Sequence, residues 1–170
     1  MNLSGGRFVR IFHWIAPVLL PFFLVFGRGF FGAPLGWMAA IGLFVGPFLV
    51  IGMYIAPIIV VFDRDAKAAR STRTLYAAAS WVTWAALLVM VFTLEDGGDA
   101  PPFGSVLSTW GWVNSEAAAG IFMFAALIAF LGWLGTIVTA SIGVAQSRSS
   151  RSARPTQAVQ PPPAPPFNAP

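Results

Sequence analysis

Apolar residues along this chain come in long unbroken runs. Four stand out, at about 11–31, 34–62, 75–94 and 117–145. Each reaches the roughly 20 helical residues needed to cross a bilayer core of about 30 Å. None shows the period-two alternation expected of barrel strands. Backbone groups in lipid must bond within their own segment, so the runs predict four transmembrane helices. The expected fold is all-α: an integral membrane four-helix bundle over 1–145, built as two antiparallel hairpins, with a disordered proline-rich tail over 146–170. Arg7 and Arg10 ahead of the first run also suit a signal peptide. No small-x-small cleavage pattern follows, however, and Gly32-Ala33-Pro34 leads straight into the second run, so a retained helix is expected. Pro34 fits the first turn of that second helix.

The polar residues between the runs are sorted by sign. Arg7 and Arg10 precede the first span, Arg64, Lys67, Arg70 and Arg73 join the second to the third, and Arg148, Arg151 and Arg154 follow the fourth. Glu95, Asp96, Asp99 and Glu116 lie at the other end. The positive-inside rule then places both termini in the cytoplasm and the chain in the cell membrane. Arg28 is the one basic residue at the acidic end, where it is expected to snorkel to the headgroups. The three-residue spacing of Arg64/Lys67/Arg70/Arg73 and of Arg148/Arg151/Arg154 sets charge on one broad helical face, suited to anionic lipid headgroups. Ordinary juxtamembrane positives explain them more simply than specific lipid recognition does.

Composition agrees. Of 170 residues, 57% are hydrophobic and 9% charged, against about 25% charged in a soluble globule. Most water-soluble enzymes and binding modules are excluded on that ground. The net charge of +4 is topological, and no basic groove with aromatic platforms suggests a nucleic-acid partner. With no Cys, disulfides, iron–sulfur clusters and thiolate metal sites drop out.

The longest connection opens with the acids Glu95, Asp96 and Asp99, read as a solvated loop, and continues through Pro101-Pro102-Phe103-Gly104. Val106, Leu107, Trp110, Trp112 and Val113 then form an apolar patch, expected to lie on the outer leaflet or cap the bundle. Asn114 or Ser115 can cap the fourth helix, with Glu116 complementing its positive end. Past Val144, a Ser/Arg-rich stretch and then Pro161-Pro162-Pro163-Ala164-Pro165-Pro166 cannot bury a core. A solvated tail is the simpler reading of it, and a ligand for an aromatic groove the sharper one.

Within the spans, Gly132, Gly135, Thr136, Thr139, Ala140 and Gly143 share one helical face lined by small side chains. Gly42 and Gly46 form a GxxxG pair in the second span. Such faces allow close helix approach in lipid; packing within the chain is the simpler expectation, and docking of another membrane subunit or a second copy the sharper one. Pro17 and Pro21 interrupt the first span, Pro47 and Pro57 the second. Pro21 and Pro47 fall at similar depth, freeing the carbonyls of Pro17 and Leu43 either for a polar path or simply as kinks. Trp81 and Trp84 share a face of the third span, Trp133 lies deep in the fourth, and Trp14, Trp37 and Tyr76 suit the interface. Trp84 needs a hydrogen-bond partner if it sits at mid-bilayer.

His13 is the only histidine. It is expected at the headgroup boundary, and a bis-histidine haem would need a second His on the chain. Ser80 and Ser141 have no base beside them in sequence, so no catalytic, cofactor or metal residues are assigned. The functional expectation is a non-catalytic accessory, assembly or scaffold component of a larger membrane complex. The alternative is a small oligomeric pore or facilitator for uncharged or hydrophobic solutes, and an enzyme ranks third.

Overall fold

The computed structural model describes residues 6–33, 35–97 and 104–152. Pro34, Asp99, the Pro101-Pro102-Phe103 stretch, the Arg151 side chain, Arg154 and the proline-rich segment lie outside the described residues. Six helices follow one another: α1 Arg7–Phe30, α2 Trp37–Val61, α3 Arg64–Ala68, α4 Thr74–Thr93, α5 Val106–Thr109 and α6 Ser115–Ser152. Among the described residues there is no β-strand. Four of the helices, α1, α2, α4 and α6, are long and apolar enough to cross a membrane.

The four long helices contact one another in a ring: α1 packs on α2 and α4, and α6 on α4 and α2. The inward positions on α1 are Val9, His13, Ala16, Pro17, Leu20 and Pro21, whose three- and four-residue steps trace a single face. Outward positions are apolar as well. Phe44 is 77% exposed, Phe48 75% and Met123 69%, surface that a protein in water keeps to small patches.

The α4–α6 seam is the most extensive, and its side chains explain why. Ala77, Ser80 and Thr83 on α4 are buried, as are Thr136 and Ala140 on α6. A Cβ on Gly132 would sit 2.6 Å from Thr83 Oγ1, and one on Gly135 would lie 3.6 Å from Ala79 Cβ. The seam hydroxyls donate along their own helices: Ser80 to Tyr76 O, Thr83 to Ala79 O, Thr136 to Trp133 O, and Thr139 to Gly135 O. With its hydroxyls satisfied in this way, the seam is held by close van der Waals fit.

Two boundaries differ from the sequence expectation. α1 begins at Arg7, ahead of residue 11, which carries His13 nearly two turns into the helix. α6 runs past 145 to Ser152, so residues 146–152 are helical and are not part of a disordered tail. Gln146 and Ser147 are anchored there by Arg73, and the Ser149 and Ser150 hydroxyls bond the carbonyls one turn back.

Candidate functional site

Helix ends meet at two levels, each organised by a buried ion pair. At the acidic end, Arg28 is 1% exposed. Its Nη1 lies 3.3 Å from Asp96 Oδ2, and its Nη2 donates to Gly104 O at 2.9 Å. Asp96 in turn accepts from the backbone N–H groups of Gly36 and Met38 at 2.7 and 2.8 Å. Those donors belong to the first turn of α2, which has no side-chain cap of its own; a carboxylate there satisfies them and complements the helix dipole. Two expectations are corrected. Arg28 does not snorkel to headgroups, and Asp96 is no solvated loop acid, because each neutralises the other away from solvent.

The neighbouring apolar patch caps this end only in part. Val106 is fully buried and the Trp110 ring packs against Phe31 and Phe92, but Trp112 is 71% exposed. Asn114 caps α6 by accepting from Ala117 N at 2.8 Å, while Ser115 bonds Glu95.

At the basic end, Asp63 and Arg73 form the second pair. Arg73 Nε donates to Asp63 Oδ2 at 2.6 Å and Nη2 to Oδ1 at 3.3 Å, a forked arrangement. Nη2 also reaches Gly143 O at 3.1 Å, and Nη1 reaches Gln146 Oε1 at 3.0 Å. Asp63 caps α3 through Ala66 N and accepts the Ser147 hydroxyl as well. Burial alone would raise the Asp63 carboxyl; the bonds from Arg73, Ser147 and Ala66, with the charge of Arg73, outweigh it and hold Asp63 below the usual carboxylate range. Gly143 is where this cluster meets α6, since a Cβ there would lie 2.7 Å from Asp63 Oδ2.

Arg73 is therefore no headgroup residue, a further correction: it is buried among protein donors and acceptors. Arg64, Lys67, Arg70 and Arg148 are exposed. Arg70 takes a left-handed φ of 49°, closing α3 with Ser71 N bonded to Ala66 O and Arg70 N to Lys67 O.

His13 lies inside the helix ring. It is 4% exposed, and its Nδ1 is 3.4 Å from the Tyr76 hydroxyl. Both residues were expected at the interface; the early start of α1 and the inward face of α4 bury them instead. Beyond them a cavity of about 20 Å³ is bounded by Ser80, Thr83 and Thr136, room for about one water. A wider apolar cleft of about 380 Å³ is lined by all four long helices, with Pro21 and Phe48 in its walls.

The remaining sequence-predicted residues separate. Pro17 and Pro21 are buried while Leu43 and Pro47 are exposed, so within one chain the two proline breaks face different surroundings. Gly42 meets α1, where a Cβ would lie 2.5 Å from Val25 Cγ2; nothing lies within 4 Å of one at Gly46. Trp84 stacks edge-on with Phe12 and Trp81, whereas Trp133 donates its indole N–H to Gly52 O at 3.0 Å. Asp63 was absent from the sequence reading as a partner. The signal for it was an acid directly after an apolar run, which demands a cation nearby.

No family model matches the chain, and no curated protein or solved structure matches it either.

Proposed function

We propose that this chain is a multi-pass protein of the cytoplasmic membrane, a four-helix bundle with both termini in the cytoplasm. In this reading it serves as a non-catalytic accessory, assembly or scaffold component of a larger membrane complex. The observation that carries the proposal is the use made of its buried charge. Arg28 with Asp96 and Arg73 with Asp63 tie helix ends to one another, an arrangement suited to holding a fixed shape. The orientation rests on the nine basic residues at one end of the helices against one at the other. The alternative reading is a small oligomeric pore or facilitator for uncharged or hydrophobic solutes; Leu43 and Pro47 are exposed on the single chain, so a path using them would run between copies.

Two experiments test this. Reporter fusions at Lys67 and at the C-terminus should both read as cytoplasmic, and a periplasmic or external Lys67 would overturn the topology. Affinity capture of the full chain in mild detergent should recover a membrane partner at fixed stoichiometry. Recovery of the chain alone, repeatedly and at native expression level, would overturn the scaffold reading.

A further inference from the structure

At the basic end, between α1, the last turns of α2 and the α3–α4 connection, lies a cleft of about 220 Å³, many times what one water requires. Its polar lining consists of Arg10, His13, Lys67, Ser71 and Thr72, and Trp14 and Val60 contribute to an apolar wall. Among the described residues no carboxylate lines it. Arginine, lysine and hydroxyl groups together supply a dense set of donors, and a cavity so lined is complementary to an anion.

Two observations show that this complementarity is not used up within the chain. The first concerns charge. Asp63 and Asp65, the acids nearest in sequence, both pair with Arg73, and among the described residues no carboxylate pairs with Arg10 or Lys67. Among the described residues Arg10 reaches only the carbonyls of Ala66 and Lys67, at 3.4 and 3.5 Å, long enough for its guanidinium to re-aim at a better acceptor. The second concerns Thr72, which is 1% exposed and whose hydroxyl has no hydrogen-bond partner among the described residues. A buried hydroxyl left unpaired is costly, and a ligand oxygen at this position would remove the cost.

We propose that this cleft binds a phosphoryl oxyanion through Arg10, Lys67 and the Thr72 hydroxyl. A tetrahedral anion with several acceptor oxygens matches a lining whose donors come from two helices and a loop, and arginine is suited to hold two of those oxygens at once. Two sources share this chemistry, the phosphodiester of a lipid headgroup and free phosphate. The lipid source rests on the membrane reading, under which the cleft lies at headgroup depth with its apolar wall toward the acyl region.

The test uses the full chain, purified in a phosphate-free non-ionic detergent and stripped of lipid. Inorganic phosphate, dihexanoyl phosphatidylglycerol and an uncharged glycolipid are titrated separately, with binding followed by native mass spectrometry and thermal stability. Wild type should take up one phosphoryl ligand and none of the glycolipid. Saturation by inorganic phosphate assigns a free anion, and uptake of the phospholipid alone assigns the headgroup; both support the site. Lys67→Gln, on the exposed rim, should weaken binding about five- to tenfold without a folding cost. Thr72→Val should weaken it similarly while leaving the unliganded protein at least as stable as wild type, since it deletes an unpaired hydroxyl and keeps the shape. Failure of both phosphoryl probes to bind wild type overturns the proposal, as does binding that neither variant changes. These readouts are independent of whether the chain belongs to a complex.

Discussion

Replacing Arg73 with Met keeps most of the side-chain stem and removes the charge. Asp63, whose side chain is 3% exposed, would keep only Ala66 N and the Ser147 hydroxyl as donors. Stranding a buried charge in this way costs about 3–5 kcal/mol. Arg73→Lys retains the charge but cannot reproduce the fork to Asp63 while also holding Gly143 O and Gln146, so it should cost less, about 1–3 kcal/mol. Asp63→Asn preserves the cap on α3 and leaves Arg73 next to Asp65 at 3.5 Å, a softer loss. The decisive variant is the double one. Once Arg73 is Met, changing Asp63 to Asn removes the stranded charge, so the double variant should be more stable than Arg73→Met alone. Reversible unfolding in mixed micelles, followed by far-UV circular dichroism across an SDS titration, gives the four free energies. The same titration run against pH adds a sign. Asp63 has a folded pKa below its unfolded value, so its contribution is present above the unfolded pKa and lost as pH falls through the folded one. Wild type should weaken on that acid limb more steeply than Asp63→Asn. Arg73→Met within about 0.5 kcal/mol of wild type, the range of an ordinary surface change, would refute the reasoning, as would a double variant less stable than the single.

Glycines on α6 and α2 should respond oppositely to one methyl group. Gly132→Ala places a Cβ 3.3 Å from the Thr83 backbone nitrogen and should cost about 1–3 kcal/mol by overpacking, while Gly46→Ala meets open space and should gain up to about 1 kcal/mol from helix propensity, both read in the same SDS titration. At the acidic end, Asp96→Ala uncaps α2 and strands Arg28, a loss of about 3–5 kcal/mol; it should appear as new proteolytic cleavage near Gly36 in detergent, and an unchanged digestion pattern would count against the cap.

Much of the architecture is readable from hydropathy, because the four apolar runs are each long enough for a membrane-crossing helix. The four long helices cover the four apolar runs, with α1 starting earlier, at Arg7, and α6 running on to Ser152. Paired charges escape that kind of reading. Positive-inside reasoning weighs each Arg singly and assigned Arg28 and Arg73 to headgroups, yet each has a carboxylate partner that the fold supplies. Asp63 is near Arg73 in sequence and could have been found from the need to neutralise an acid at the edge of a span. Asp96 reaches the N-terminus of α2 from about sixty positions away, and only packing brings it there. His13 was misplaced for a local reason: an Arg-rich start looked like a cytoplasmic lead, while the helix already includes Arg7 and turns His13 inward. The Ser/Arg stretch after 145 looked unstructured by composition, but Ser147 and Gln146 have tertiary partners, and partners override propensity.

The basic-end cluster also imposes an order on biogenesis. Arg73 meets Gly143 across 70 positions and Asp63 meets Ser147 across 84. Translation proceeds from the N-terminus, so a nascent chain carrying the first three spans has this carboxylate and guanidinium but neither the glycine that lets α6 approach nor the serine that completes their shell. Without α6 the pair lacks Gly143 O, Gln146 and Ser147 as partners. A chain truncated before α6 would expose that charge together with the Thr83 face of α4, so the last helix is what turns a wet ion pair into a dry one.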